Sequence, residues 1–210
     1  QFTSDASHEL RTPLAVILAQ CEEAKTHSLT TAEYAQAFDV VERQSKRMSA
    51  LIGQLLQMTR LEQGLQSTVF EQADLSELVA VICAEQPVSE KEITLEMDLQ
   101  PNVTAWFDVT LISRLLQNLL NNAVRYGREQ GHIWVTLRKN ADEITLAVRD
   151  DGIGIPGDKL DKIWQRFYQG DNARGSDGGS GLGLTMVRQI ALLHDGQVTA
   201  DSIEGAGSCF

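Results

Sequence analysis

The 210-residue sequence predicts an α-helical hairpin followed by an α+β two-layer sandwich, and three observations carry that prediction. Apolar residues recur at three- and four-residue steps through about residue 62, with one short polar break. Beyond that point helical and strand-like stretches alternate, and two of the strands lie at hairpin spacing. A cluster of glycines, Gly175 to Gly183, directly precedes a further helix. The expected units are residues 1–66 and residues 67–210, with the hairpin pairing with a second copy to form a four-helix bundle.

The elements follow in order. Leu10, Leu14, Ile17, Leu18 and Cys21 mark a buried stripe on a helix from residue 2 to about 27. His27 to Thr31 is polar, and Thr30 or Thr31 is placed to cap a second helix that has Glu33 in its first turn. That helix reaches about Glu62 and carries Phe38, Val41, Met48, Leu51, Ile52, Leu55, Leu56 and Met58. One hairpin cannot cover so wide an apolar face from both sides. Gly64 to Thr68 reads as a linker. A helix is expected from Asp74 to about Val88, a strand over Ile93–Asp98, a short segment near Ala105–Phe107 and a helix over Asp108–Tyr126. Ile133, Val135 and Leu137, then Ile144, Leu146 and Val148, alternate with polar neighbours as an antiparallel pair does. A last helix over about Leu184–His194 and strands over Val198–Ser202 and Ser208–Phe210 complete one sheet with helices on one face.

Bulk properties narrow the function. The apolar fraction of 42% supports a real core. The net charge of −11 excludes general nucleic-acid binding, and most of it lies after residue 66, where 12 basic residues face 21 acidic ones. Phosphates approaching such a surface need local donors and a cation. Three scattered cysteines (Cys21, Cys83, Cys209) read as reduced thiols rather than a disulfide framework or zinc site. No apolar run approaches the roughly 18 residues that span a bilayer, so no membrane contact is expected of this stretch. The abrupt start shortly before His8 suggests an excised piece of a longer chain.

The most telling stretch is Ser7-His8-Glu9-Leu10-Arg11-Thr12-Pro13-Leu14. It sets an imidazole near a helix start with a carboxylate beside it, a hydroxyl one turn later and a helix-bending proline next. Further on, Asn118 and Asn122 stack on one helix face, continued by Arg125 and Tyr126. Amide oxygens together with phosphate oxygens suit magnesium, although a solvated polar face explains the pattern taken alone. Asp150-Asp151-Gly152-Ile153-Gly154 ends a strand in a glycine turn. It suits reception of an exocyclic amine, and equally an ordinary hairpin. Gly179, Gly181 and Gly183 offer backbone amides ahead of a helix, an anion cradle. They match neither a dinucleotide fingerprint nor a P-loop. Ile163-Trp164-Gln165-Arg166-Phe167-Tyr168 reads as a satellite hydrophobic cluster more than as a ligand contact, and residues 169–180 as a mobile lid.

Taken in order, these stretches resemble the sensor histidine kinases of bacterial two-component systems over nearly the whole chain. Ser-His-Glu-Leu-Arg-Thr-Pro-Leu at His8 is similar to the family's H-box and Asn118–Tyr126 to its N-box. Asp150–Gly154 corresponds to the first glycine box, Ile163–Tyr168 to the F-box, and Gly179 through Gly181, Leu182 and Gly183 to the second glycine box. The resemblance implies a Bergerat ATP-binding fold after a dimerisation and phosphoacceptor hairpin, with ATP and Mg2+ as cofactors. It implies that His8 takes the γ-phosphoryl group with Glu9 fixing its tautomer, and that Thr12 orients the water of a phosphatase reaction. It further implies that Asp150 would receive the adenine amine, with Gly152 and Gly154 beside it. By the same resemblance Asn122, supported by Asn118, would hold the metal, and Arg125 and Tyr126 would lie near the phosphates. The implied partners are a second copy and the receiver domain of a response regulator, which would meet Ala15, Val16, Ala19 and Gln20. The implied setting is the cytoplasmic part of an inner-membrane protein. Where the family often has arginine after the F-box, this chain has Gln169, with Arg166 or Arg174 as a possible substitute. That departure keeps open a catalytically weak, nucleotide-binding dimeric signalling module. A gyrase-type ATPase shares the nucleotide boxes but gives no reason for the His8 octapeptide.

Overall fold

A computed structural model describes residues 2–64, 68–88, 91–141, 143–170 and 179–210. The chain divides into two compact units, Gln1–Leu65 and Gln66–Phe210.

The first unit is an antiparallel helical hairpin. α1 (Phe2–Thr26) runs through Pro13 without interruption, and α2 (Thr31–Glu62) follows a four-residue turn. Thr30 caps α2 in a reciprocal box. Its hydroxyl accepts from the Glu33 N–H at 3.4 Å, while its own N–H donates to Glu33 Oε2 at 2.7 Å. Those bonds from Thr30 hold the Glu33 carboxyl below its ordinary range. The Tyr34 hydroxyl donates to the Ala24 carbonyl at 3.2 Å and ties the helices together at the turn. The stripe expected to be buried is largely uncovered within a single chain: Leu18 is 59% exposed, Phe38 70% and Leu56 57%. Most of the linker expected at Gly64–Thr68 lies outside the described residues.

The second unit contains β1 (Glu71–Asp74), α3 (Leu75–Glu85), β2 (Thr94–Leu99), β3 (Thr104–Phe107), α4 (Val109–Tyr126), β4 (His132–Lys139), β5 (Ile144–Asp150), α5 (Gly183–Leu193), β6 (Asp201–Ile203) and β7 (Gly207–Cys209). Five strands form a mixed sheet in the order β2-β4-β5-β7-β6. β2 and β4 are parallel, and the other neighbours are antiparallel, with Val135 opposite Val148 in the central pair. Ile133, Val135, Leu137 and Val148 are buried and pack in one core with Val79 and Ile82 of α3, Leu116 and Leu120 of α4, and Val187 of α5. Intervening His132, Trp134 and Thr136 stay half-buried, so helices cover one face of the sheet.

Two expectations are corrected. The sheet is accompanied by a second, two-stranded antiparallel one that pairs β1 with β3, and β1 had no place in the sequence reading. The strand expected over Val198–Ser202 begins only at Asp201. Val198 packs on the core but makes no ladder there.

α4 is held at both ends by long-range bonds. Buried Asp108 caps its start, accepting from the Leu111 N–H at 3.0 Å and the Val69 N–H at 2.9 Å, and donates its own N–H to His194 Nε2 at 3.1 Å. At the far end Lys91 Nζ donates to the carbonyls of Val124 (3.0 Å), Arg125 (2.6 Å) and Gly127 (3.0 Å). A cation on terminal carbonyls complements the negative end of the helix.

Candidate functional site

A cavity of about 290 Å³ opens in the second unit beside the last turns of α4. Among the sequence-selected residues, Asn122, Tyr126, Asp150 and Gly154 line it, together with Ile153, Tyr168, Gln169, Ser208 and Phe210. The helical spacing of α4 is what sets Asn122 and Tyr126 on one wall. Of the three clustered asparagines, Asn121 is exposed and its amide oxygen accepts from Gln86 at 3.1 Å, so it is engaged elsewhere.

Asp150 ends β5 with only 5% of its surface exposed. Burial pushes its carboxyl above the ordinary range, against the opposing pull of amide hydrogens from Gly152 and Ser208 and with added repulsion from Asp151. The Gly152 N–H donates to Asp150 Oδ1 at 2.8 Å, and a side chain at Gly152 would collide with the Tyr126 carbonyl. Gly154 has φ +65° and lies against the Ile203 carbonyl, so both conformation and space demand glycine there. Asp151 faces away from this floor. Burial would raise its carboxyl, but the His132 N–H and the Arg128 guanidinium hold it below the ordinary range. Two adjacent acids are thus set apart: one paired with the Arg128 guanidinium, the other a buried acceptor.

The second glycine box approaches from the other side. The Phe167 N–H donates to the Gly181 carbonyl at 2.9 Å, and Gln169 Nε2 donates to the Gly179 carbonyl at 2.6 Å. Leu182 is fully buried at the cap of α5, whose amides receive no side-chain cap among the described residues, and Gly183 opens the helix. A β-carbon at Gly183 would stand 3.5 Å from Asn118 Oδ1, so that helix start meets the Asn118 face of α4. These amides are placed to receive an anion.

Some sequence expectations shift. Ile163 and Tyr168, read as a satellite cluster, form part of the cavity wall together with Asp150. Arg125 is not in the cavity wall. Its guanidinium lies 5.7 Å from the centre of the Tyr126 ring and against Gly179. Arg174, Gly175, Gly178 and most of the expected lid lie outside the described residues. In the first unit His8 and Thr12 are exposed and Glu9 half-buried. Sequence reasoning missed Lys91, Ser202 and Ser208. Lys91 acts across a long separation, and Ser202 ties the distant Ile155 amide to the nearby Gly207 and Ser208, so neither leaves a local spacing signal.

No group of three or more His, Cys, Asp or Glu that could hold a metal occurs among the described residues. The oxygen donors at hand, the Asn118 and Asn122 amides, fit a cation that arrives with phosphate oxygens. An acceptor floor, apolar walls and helix amides without a side-chain cap among the described residues suit a flat, amine-bearing ring that carries an anionic group.

Comparison with known proteins gives the class. A family model described as "Histidine kinase-, DNA gyrase B-, and HSP90-like ATPase" matches residues 107–210, and one described as "His Kinase A (phospho-acceptor) domain" matches residues 1–64. The chain belongs to the histidine kinases of bacterial two-component systems, with a helical hairpin followed by a Bergerat ATP-binding fold. It is 36% identical to the sensor histidine kinase RppB of Synechocystis sp. over 215 residues, spanning 100% of this chain and 47% of that protein. It is 31% identical to the sensor protein kinase WalK of Staphylococcus epidermidis over 213 residues, spanning 99% of this chain and 35% of that one. The chain therefore spans less than half the length of these relatives. The fold is similar to that of histidine kinase ThkA, solved in complex with response regulator protein TrrA. The TM-score is 0.80 at 20% identity, covering 99% of this chain and 59% of that one.

Proposed function

We propose that this chain is the kinase core of a sensor histidine kinase, which phosphorylates His8 from ATP and passes the phosphoryl group to an aspartate of a response regulator. The observation that carries the proposal is the pairing of two features in one chain. His8 is an exposed imidazole on α1, and Asn122, Tyr126 and a buried Asp150 converge on one cavity. The relatives named sensor kinases support the same reading.

In this mechanism the Asp150 carboxylate accepts from the adenine amine while Ile153, Ile163 and Phe210 enclose the ring. Asn122 and Asn118 would hold Mg2+, and Arg125, Tyr126 and the amides at Gly179–Gly183 would attend the phosphates. Bound magnesium would neutralise charge building on the phosphate oxygens. One ring nitrogen of His8 attacks the γ-phosphorus. An N–P bond forms, the P–O bond to the β-phosphate breaks, and ADP leaves. Glu9 holds the proton on the other ring nitrogen, which fixes the tautomer. Phosphoryl transfer asks mainly for alignment and charge neutralisation, and these residues supply both.

Thr12, one turn beyond His8, is assigned the water-orienting role in dephosphorylating the regulator. The receiver domain docks along Ala15, Val16, Ala19 and Gln20, and the uncovered apolar face of the hairpin takes a second copy. The parent protein is assigned to a membrane, with this part on its cytoplasmic side. Incubation with γ-labelled ATP and magnesium tests the proposal. The chain should take up label, and His8→Gln and Asn122→Ala should each abolish uptake, the former while still binding ATP. Label retained in His8→Gln would overturn it.

A further inference from the structure

Beneath the Asp150 floor, three backbone segments meet at one small side chain. Ser202, on β6, receives the Ile155 N–H on its Oγ at 2.8 Å. Its hydroxyl donates to the Gly207 carbonyl at 2.7 Å, and its Oγ stands 3.0 Å from Ser208 Oγ. A serine hydroxyl has one hydrogen and two acceptor lone pairs. The single Ser202 hydrogen is taken by Gly207. The bond between the two serines must therefore run from Ser208 to Ser202, which completes the bonding capacity of Ser202.

The consequence lies at Ser208. This residue is 8% exposed and lines the cavity, and its backbone N–H donates to Asp150. With its hydrogen turned toward Ser202, its oxygen can offer the cavity only lone pairs. The Asp150 carboxylate likewise only accepts. Two acceptors side by side, both buried, match a ligand edge that presents an amine and oppose one that presents a carbonyl. A site built to accept from an N–H leaves its own groups unpaired when an acceptor arrives, and that costs more than a missing apolar contact.

We propose that Ser202 is a positioning residue that sets the nucleotide specificity of this site, by fixing the Ser208 hydroxyl so that 6-amino purines are taken and 6-oxo purines refused. The proposal rests on the nucleotide-site reading above and adds to it the residue that selects the base. Ser202 does not line the cavity and acts through Ser208. Without it, the Ser208 hydroxyl is free to rotate toward the cavity and donate to a carbonyl.

The test is titration calorimetry of ATP and GTP, each with magnesium, against the 210-residue chain and its Ser202→Ala, Ser202→Thr and Ser208→Ala variants. The parental chain should prefer ATP. Ser202→Ala should reduce the ratio of GTP to ATP dissociation constants by about tenfold, a change worth ~1.4 kcal/mol. Ser202→Thr, which keeps the hydroxyl, should restore the ratio. Ser208→Ala, which removes the acceptor, should also lower it, and this holds even if Ser202→Ala folds poorly. Equal weakening of both nucleotides in Ser202→Ala, with the ratio unchanged, would reduce Ser202 to a structural tie and overturn the proposal. A parental chain that binds neither nucleotide would instead overturn the nucleotide-site reading itself.

Discussion

Asp150 shows how one residue carries opposite demands. Burial holds its carboxyl above the ordinary range, so between the ordinary and the raised value the folded chain binds the proton more tightly than the unfolded chain does. The stability tied to that proton is present at low pH and is lost as pH rises through the window. Nucleotide binding runs the other way, because it uses the ionised acceptor: affinity for ATP should fall as pH drops through the raised value. Asp150→Asn removes the cost of a buried charge. Thermal unfolding at neutral pH should therefore show an unchanged or higher midpoint, while calorimetry should show ATP binding weakened by more than about tenfold. A lowered midpoint with intact ATP affinity would contradict this account. At Thr12 the prediction separates two activities. Thr12→Ala should retain self-phosphorylation and lose most regulator dephosphorylation, measured as release of inorganic phosphate from phosphorylated receiver domain.

Elements depend on a few bonds at their ends. The Thr30 box begins α2, and Thr30→Ala should lower hairpin stability by about 1 kcal/mol in denaturant unfolding. Lys91 closes α4 on three carbonyls just past Asn122. Lys91→Met should lower the thermal midpoint and weaken ATP binding together, because the turn that carries Arg125 and Tyr126 loses its charge-assisted anchor. Unchanged binding would show that the end of α4 holds its course unaided. These cases mark what the sequence makes legible. Thr30 with Glu33 three residues on, and alternation at Ile133–Leu137, are local patterns with fixed periods, so helix and strand are readable there. Glu71-Gln72-Ala73-Asp74 has no apolar alternation, and its strand exists only because β3 supplies the ladder. Lys91 meets its partners across long separations and through backbone carbonyls, and Ser202 joins a distant backbone amide to a nearby carbonyl and hydroxyl, which leaves nothing to read in residue identity. The boxes around Asn122, Asp150 and Gly181 were each ambiguous alone and became legible through their joint resemblance to the family's motifs; at Gly152 and Gly181 close backbone approach restricts the position to glycine. The cavity role of Ile163 and Tyr168 was not, because an aromatic cluster looks the same whether it faces a core or a ligand.

At the scale of the whole chain, the decisive feature of the hairpin is the apolar surface a single copy leaves bare. Phe38, at 70% exposure, and Leu56, at 57%, are large side chains that a lone helix pair keeps in water. A second copy can bury them in a four-helix bundle. Light scattering at micromolar concentration should give a dimer, and the double variant Phe38→Glu/Leu56→Glu should give a monomer that still binds ATP. A parental monomer would refute the bundle. The central claim joins the units chemically, since a nucleotide held by the second must deliver its terminal phosphorus to the first. The most direct measurement is mapping of the phosphorylated residue after incubation with labelled ATP and magnesium, by mass spectrometry under alkaline conditions. The account predicts a single acid-labile, base-stable phosphate on His8. Phosphate on any other residue, or none on a chain shown to hold ATP, would contradict it.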